Sequence, residues 1–139
     1  MDAFQRMMER DRVSSELGIE LVDHGEGRVV TRMVVRLDML NGYDVAHGGV
    51  LFTLADTAFA CACNSVAPPS VAAAAEIVFV APVQAGDELF ATAELRTPFG
   101  RSGIYDVTIR RGGTSAGNPV VAEFRGRSQQ RRAQIDGDD

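Results

Sequence analysis

An unusually apolar stretch near the middle of the chain constrains the fold more than any other feature. Residues 50–63 contain one charged side chain, Asp56, among apolar or weakly polar ones. We predict a helix over residues 48–64, because two consecutive prolines at 68 and 69 stop anything helical beyond them. Since this helix is apolar on nearly every side, it must be buried all round and cannot lie on a surface.

The segments on either side of this helix carry the alternating pattern of strands. Six such runs are predicted, at residues 19–22, 29–37, 71–80, 88–96, 102–111 and 119–127. An N-terminal helix is predicted over residues 2–16, before Gly18 interrupts its pattern. The order indicates an α+β fold in which an antiparallel sheet wraps around the long central helix. Because one sheet covers only part of that helix, its remaining side points to a second copy of the chain.

Length and charge narrow the class of protein. The 139 residues, 45% of them apolar, suit a single domain, which we place at residues 1–132 before a disordered tail at residues 133–139. The net charge of -5 argues against nucleic acid as a partner. We find no charged-then-apolar leader and no uninterrupted apolar run of about 18 residues, so we expect a cytoplasmic protein that does not enter a membrane.

The two cysteines of the chain do not suggest a metal site or a disulfide. Cys61 and Cys63 lie two positions apart on the predicted helix, which turns them to different sides of its axis. Neither belongs to a metal-ligand spacing, and free cysteines are most often small core residues. We therefore expect no metal.

Asp56 is the first candidate for chemistry. An unpaired carboxylate is costly to bury, so either the helix turns it to water or a site needs it. In a site, it could activate water as a general base or attack an acyl carbon itself. The structural alternative is a carboxylate satisfied by a nearby hydroxyl or backbone N–H group. We favour the functional interpretation, because buried ionisable groups concentrate at sites.

The second candidate precedes the apolar helix directly. His47, Gly48 and Gly49 stand where the first backbone N–H groups of the helix have no partner within it. Two glycines let a ligand approach these groups closely, which suits an oxyanion hole; the alternative is that they only allow close packing. Asn41, in the preceding loop, could hold water or a thioester oxygen, or simply form a turn with the glycine that follows it.

Spacing then suggests that two chains share the site. Gly48 and Asp56 are eight residues apart, or about 12 Å along one helix. An attacking atom must lie within about 3.5 Å of the carbonyl carbon, so one helix cannot easily supply both groups. Two antiparallel helices about a two-fold axis can bring the Asp56 of one chain to the Gly48 of the other.

An ordered set of short segments through residues 14–131 carries a family resemblance. These segments are residues 17–20, 39–42, 47–49, 51–65, 79–82, 85–87, 103–106 and 124–128. Through them the chain resembles the hotdog-fold acyl-CoA thioesterases, and within these the PaaI type. The resemblance implies a hotdog fold and a homodimer that pairs into a homotetramer. It implies an acyl-CoA substrate and no separate cofactor, since coenzyme A is part of that substrate.

The resemblance also assigns roles to individual residues. The family's catalytic acid falls on Asp56, its oxyanion-hole glycine on Gly48, its loop amide on Asn41 and the histidine of its HGG motif on His47. It places coenzyme A across strand ends, near Phe79, Gly100, Arg101, Ser102, Arg127 and Arg131. Arginine suits phosphate because its planar fork donates two parallel hydrogen bonds. The structural alternative for these arginines is a solvated strand end.

We therefore expect hydrolysis of an acyl-CoA thioester, with an aromatic acyl group such as phenylacetyl or hydroxyphenylacetyl. An aliphatic or other aryl acyl group is an alternative. A non-catalytic acyl-CoA-binding module is a second alternative, which the presence of both Asp56 and the glycine pair disfavours. A hotdog hydratase ranks lower, since its pattern places a histidine about five residues after the acid, and position 61 is a cysteine.

Overall fold

A computed structural model describes residues 2–132 of the chain. It contains three α-helices, α1 (Ala3–Glu9), α2 (Arg12–Leu17) and α3 (Gly48–Val66), and a short 3-10 turn at Leu37–Met39. Its six strands are β1 (Glu20–Gly25), β2 (Arg28–Val34), β3 (Ser70–Phe79), β4 (Glu88–Phe99), β5 (Ser102–Arg111) and β6 (Val120–Gln130). The predicted tail at residues 133–139 lies outside the described residues.

The strands form one antiparallel sheet in the order β1-β2-β4-β5-β6-β3. Turns join β1 to β2, β4 to β5 and β5 to β6, whereas β3 follows α3 and lies at the far edge beside β6. Every strand of the predicted set is present, and β6 continues to Gln130, beyond the predicted end at residue 127. The alternation of buried and exposed residues along β4, β5 and β6 turns one face of the sheet towards α3.

Helix α3 packs into the sheet on most of its sides, but one side is only partly buried, at Phe52, Thr53, Asp56 and Ala60. Burial on every side, as its pattern predicts, is therefore not reached within one chain. It contacts strands β2 to β6 on one side and α1 on another. Small side chains make room for it, since Ala91 and Ala93 of β4 are fully buried. The ring of Phe59, also fully buried, occupies the space that a side chain at Gly126 would need, because a Cβ there would lie 2.8 Å from the Cζ of Phe59. The helix and the sheet therefore share one core.

By length and composition alone, α3 could cross a membrane. Its most apolar window has a mean hydropathy of 1.3, and 56% of that window is buried inside the fold. A core helix of a soluble protein reaches the same values, so a single helix of this kind is weak evidence for a membrane span.

The N-terminal segment differs from the single helix predicted over residues 2–16. The structure has two helices, with a break at Arg10 and Asp11. Asp11 is the cause, because its carboxylate accepts a hydrogen bond of 2.9 Å from the backbone N–H of Ser14 and so starts a new helix. Helix α2 then ends at Gly18, which adopts a left-handed conformation with φ of 71°.

The edge strand β3 is open to solvent on both faces. From Val71 to Phe79 only Ile77 is even partly buried, although the strand is almost entirely apolar. Val78 and Phe79 are 62% and 52% exposed. One charge, on Glu76, and one irregularity in the pairing with β6 are the only interruptions within this strand. An exposed apolar edge of this kind is a template for pairing with another strand.

Candidate active site

The N-terminus of α3 leaves one backbone N–H group free. His47 caps the helix: its Nδ1 accepts from the N–H of Gly49 at 3.1 Å, and its carbonyl accepts from the N–H of Val50 at 2.9 Å. These bonds satisfy the groups that follow Gly48. The N–H of Gly48 itself has no partner within residues 2–132. His47 thus orients the helix start through its own ring, and Gly48 keeps a donor for a ligand.

A cavity of about 400 Å³ opens beside Gly48. Its lining is mostly apolar and comes from the loop before α3, the first turn of α3 and the chain after β3. The lining residues are Asn41, Val45, Ala46, Gly48, Leu51, Phe79, Val80, Ala81, Pro82 and Val83. The structure therefore brings together three of the predicted site residues, Asn41, Gly48 and Phe79, in one pocket.

The ring of Phe79 lies very close to the backbone of Gly48. A Cβ at position 48 would lie 2.9 Å from the Cζ atom of the Phe79 ring, closer than real Cβ contacts come. The half-exposed ring therefore packs directly over the helix start. The sequence offered two interpretations of the glycines, which were approach of a ligand to the backbone and close packing. Both are compatible with the structure.

Asn41 forms a turn as well as lining the cavity. Its side-chain Oδ1 accepts from the N–H groups of Tyr43 at 2.8 Å and Val45 at 3.4 Å. Its Nδ2 group has no hydrogen-bond partner in the described part of the chain, with the amide oriented by those two bonds. Asn41 can therefore hold its own loop and still offer a donor to a bound molecule.

Asp56 is half-buried on α3 and unpaired. It makes no hydrogen bond or ion pair with any residue from 2 to 132. Burial raises the pKa of its carboxyl group, and the negative charge of Asp11 raises it further. The structural alternative, a carboxylate satisfied by a nearby hydroxyl or N–H group, is not what the structure has. Such a carboxylate holds a proton more tightly and is a better base than an exposed aspartate.

Within one chain Asp56 does not reach the cavity beside Gly48. The two residues lie on one uninterrupted helix, about two turns and about 12 Å apart. Asp56 is accordingly absent from the residues that line the cavity. Within one protomer the predicted oxyanion donor, Gly48, and the predicted acid, Asp56, are therefore too far apart to act on the same carbonyl group.

The two thiols of α3 are poor competitors for a nucleophilic role. Burial raises the pKa of both Cys61 and Cys63 to about 12. At neutral pH both remain protonated, and the thiol form is a weak nucleophile. Among residues 2–132 no group of three or more His, Cys, Asp or Glu side chains is arranged to hold a metal ion.

The other predicted coenzyme A residues lie away from Phe79. At one end of the β3–β6 pair Ser70 faces Gln130, and at the other Phe79 faces Ala122, about 30 Å away. The β4–β5 turn and the end of β6 gather four of the candidates at the Ser70 end: Gly100, Arg101, Ser102 and Arg131. Arg127 is exposed on the face of β6 opposite α3. One chain therefore holds two separate groups of candidate residues.

Three residues near Asp56 were missed by the sequence analysis. Asp11, Ser14 and Thr57 form a hydrogen-bonded chain that ends at the residue after Asp56. The available signal was a cap residue, Asp11, three positions before Ser14. The role of Asp11 as a helix cap was not predicted, because the apolar pattern of residues 2–16 was interpreted as one continuous helix.

These features define a class. A six-stranded antiparallel sheet packed around a long central helix is the arrangement of a hotdog-fold protein. The model of the thioesterase superfamily matches residues 43–117, more than half of the chain. The chain therefore belongs to the thioesterase superfamily, and the predictions of a hotdog fold and of a thioesterase are confirmed.

Individual relatives agree with this family. The chain is similar to the acyl-coenzyme A thioesterase PaaI of Escherichia coli, with 43% identity over 95% of this chain and 91% of the relative. The structure of the E. coli PaaI protein superposes with a TM-score of 0.87 over 94% of this chain and 92% of that one. A mutant of the phenylacetic acid degradation protein PaaI from Thermus thermophilus is 32% identical, with a TM-score of 0.80, over 86% and 99% of the two chains.

The raised pKa of Asp56 predicts a stabilising substitution. Ionised Asp56 costs stability above its folded-state pKa, and this cost disappears as pH falls below the ordinary value of about 3.9. Asp56→Asn should therefore raise Tm at pH 7 to 8, with a gain that shrinks on acidification. Thermal unfolding measured from pH 8 to pH 4 tests this.

Asp106→Asn is the matched control with the opposite sign. A hydrogen bond from Arg125 lowers the pKa of Asp106, so its ionised form stabilises the fold above the unfolded-state pKa. Removing this charge should lower Tm at neutral pH. The corresponding loss in the free energy of unfolding is at most about 1 kcal/mol, because the ion pair is largely solvated. Equal Tm values for wild type and Asp56→Asn across this pH range would contradict the burial cost at Asp56.

Proposed function

We propose that this protein hydrolyses acyl-CoA thioesters at a site shared by two subunits. One observation carries the proposal: the unpartnered N–H of Gly48 borders an apolar cavity, while an unpaired, half-buried carboxylate lies on the same helix. The similarity to a protein named acyl-coenzyme A thioesterase supports the substrate class.

The start of α3 suits the developing negative charge of thioester hydrolysis. As the carbonyl carbon becomes tetrahedral, its oxygen gains charge, and a donor already in place stabilises it without reorganisation. The N–H of Gly48 is such a donor, and the dipole of the 19-residue helix α3 adds positive potential there. The free amide of Asn41 lies in the same cavity and can hold the attacking water or the thioester oxygen.

Asp56 either activates the attacking water or attacks the acyl carbon itself. Its raised pKa favours removal of a proton from water, which then adds to the acyl carbon while the thiolate of coenzyme A leaves. The same unpaired carboxylate could instead add to the carbon directly and form an anhydride that water cleaves. Both routes require Asp56 beside a carbonyl at Gly48, which one chain does not provide.

A two-fold dimer closes this gap. If two α3 helices pack antiparallel with the axis beside Phe52, midway between residues 48 and 56, each Asp56 faces the partner's Gly48. The exposed apolar strand β3 can pair with its own copy about the same axis and continue the sheet. The homotetramer that the family resemblance implies stays a prediction.

The dimer also joins the two groups of candidate coenzyme A residues. Antiparallel pairing of β3 with the partner's β3 sets the Ser70 end of one strand beside the Phe79 end of the other. Arg101 and Arg131 of one subunit then lie at the end of the dimer that holds the partner's Phe79. The guanidinium groups are free to meet phosphate at this end, since both side chains are exposed.

The cavity favours an aromatic acyl group. Apart from Asn41 it is lined by aliphatic side chains and the Phe79 ring, against which a phenyl ring can pack edge to face. We expect phenylacetyl-CoA and hydroxyphenylacetyl-CoA to be cleaved with higher kcat/KM than acetyl-CoA or hexanoyl-CoA. Thiol release across this panel is the measurement, and a preference for the straight chains would remove the aromatic assignment while leaving the hydrolase intact.

Two variants separate the proposed roles of the acid and the donor. Asp56→Asn should lower kcat at least ~100-fold, the usual scale for a positioned general base. Gly48→Pro removes the N–H at the first helical position, where proline is tolerated, and His47 already has the extended backbone that proline requires before it. It should lower kcat ~100-fold, as the loss of one oxyanion donor does.

Gly48→Ala is the matched control for the proline. Both substitutions place a Cβ against the Phe79 ring, but alanine keeps the N–H. Thiol release should therefore be much faster in Gly48→Ala than in Gly48→Pro. Wild-type turnover in Asp56→Asn would contradict the proposed role of Asp56 as base or nucleophile. Binding of acyl-CoA without any hydrolysis by the wild type would leave only the non-catalytic binding module.

Co-expression of two inactive variants tests the sharing of the site. A mixed dimer of Asp56→Asn and Gly48→Pro subunits contains one site with both wild-type groups and one with neither. Random pairing should therefore restore about a quarter of the wild-type rate. Differently tagged subunits allow the mixed dimer to be purified and assayed alone. A mixed dimer as inactive as its parents would contradict a site shared between the two subunits.

A further inference from the structure

A buried chain of hydrogen bonds links the N-terminal helices to the residue beside Asp56. The Oδ2 atom of Asp11 accepts from the Oγ of Ser14 at 2.7 Å, and Ser14 Oγ lies 2.8 Å from Thr57 Oγ1. The other oxygen of Asp11 accepts from the backbone N–H of Ser14 at 2.9 Å. Three side chains from two distant segments are thus joined in one line.

The direction of this chain follows from the number of protons. The hydroxyl of Ser14 has one proton, which it donates to Asp11. Ser14 can therefore only accept from Thr57, so the hydroxyl of Thr57 donates outward, away from the backbone of α3. Ser14 and Thr57 are 1% and 5% exposed, and hydrogen bonds are stronger and more directional in such surroundings.

Few charged or titratable groups lie near Asp56. The charge that acts on it, within the described residues, is that of Asp11 at the start of α2. Two further titratable groups of α3, the thiols of Cys61 and Cys63, follow Asp56 on the helix, and the charge of Asp56 acts on Cys63. Tyr105 of β5 interacts with Cys63 in turn. The strands β2, β4, β5 and β6 meet α3 mainly with buried apolar side chains, among them Val29, Met33, Leu89, Val107 and Phe124.

We propose that Asp11, Ser14 and Thr57 form a positioning relay, which docks the N-terminal helices on α3 and holds the carboxylate of Asp11 close to the turn of α3 that carries Asp56. This inference rests on the proposed role of Asp56 in thioester hydrolysis. None of the three side chains touches the reacting atoms. They act through Asp56, by fixing the turn of α3 that carries it and by setting the charge that it experiences.

The two parts of the relay have different effects on the reaction. The hydroxyl chain restricts rotation and sliding of α3 at Thr57, and a small displacement of a catalytic group is costly in rate. The carboxylate of Asp11 opposes ionisation of Asp56, since like charges raise each other's cost of ionisation. Both effects disappear if the N-terminal helices leave α3, so the segment contributes to catalysis without entering the cavity.

Removal of the Asp11 charge tests the relay. Asp11→Asn keeps a good helix cap, so α2 should persist. Titration of the Asp56 carboxyl carbon by NMR in ¹³C-aspartate-labelled protein should then give a lower midpoint than in wild type. The acid limb of the pH profile of kcat/KM should move to lower pH by the same amount. Glu16→Gln, which removes an exposed charge from the same helix, should move neither.

Thr57 tests the hydroxyl chain separately. Thr57→Val keeps the shape of the side chain and removes the donor, and kcat should fall ~10-fold or more with KM nearly unchanged. Thr57→Ser restores the hydroxyl and should restore kcat. A midpoint for Asp56 that is the same in Asp11→Asn and wild type, or a Thr57→Ser variant as slow as Thr57→Val, would overturn the relay. Full turnover in Asp56→Asn would instead contradict the catalytic role of Asp56 in the proposed function. The two failures are distinguishable, because the NMR titration of Asp56 does not depend on activity.

Discussion

The burial of α3 inside a curved sheet is the constraint on which the rest of the structure depends. The helix is apolar on almost every side, so it must be covered on almost every side. The sheet meets this need by carrying small residues where the helix comes closest, as at Ala91, Ala93 and Gly126. The apolar surface of α3 is covered by the inward-facing side chains of the sheet and by the docked N-terminal helices.

The residues of the proposed chemistry lie where this burial is incomplete. At its start α3 leaves the N–H of Gly48 free beside an apolar cavity, and midway along it leaves Asp56 half-buried and unpaired. Burial of the Asp56 carboxylate costs stability, and neither feature gains a partner within residues 2–132. The exposed strand β3 is a third incomplete surface. In the proposed dimer a second copy of the chain, placed about one two-fold axis, would complete all three, and assembly and activity would then depend on the same contacts.

Periodicity was a good guide to the elements and a poor guide to their ends. Six strands and a central helix follow from alternation and apolar runs, and the resemblance to hotdog thioesterases fits the fold and family found. The break between α1 and α2 at Asp11 was not predicted, because the apolar pattern continues past Asp11 while the side chain of Asp11 caps a new helix. Strand β6 extends past residue 127 because pairing with β3 and β5, rather than its own alternation, sets where it stops.

The amino-acid sequence by itself determined that one helix must be buried all round, that Asp56 is the exception within it, and that glycines open its start. These are local properties of residue type and spacing. Only the tertiary structure decided that Phe79 packs over Gly48, that Asp11 reaches Thr57 through Ser14, and that the candidate coenzyme A residues form two separate groups. Contacts between distant segments depend on how the sheet curves and registers around α3, and no local pattern encodes that.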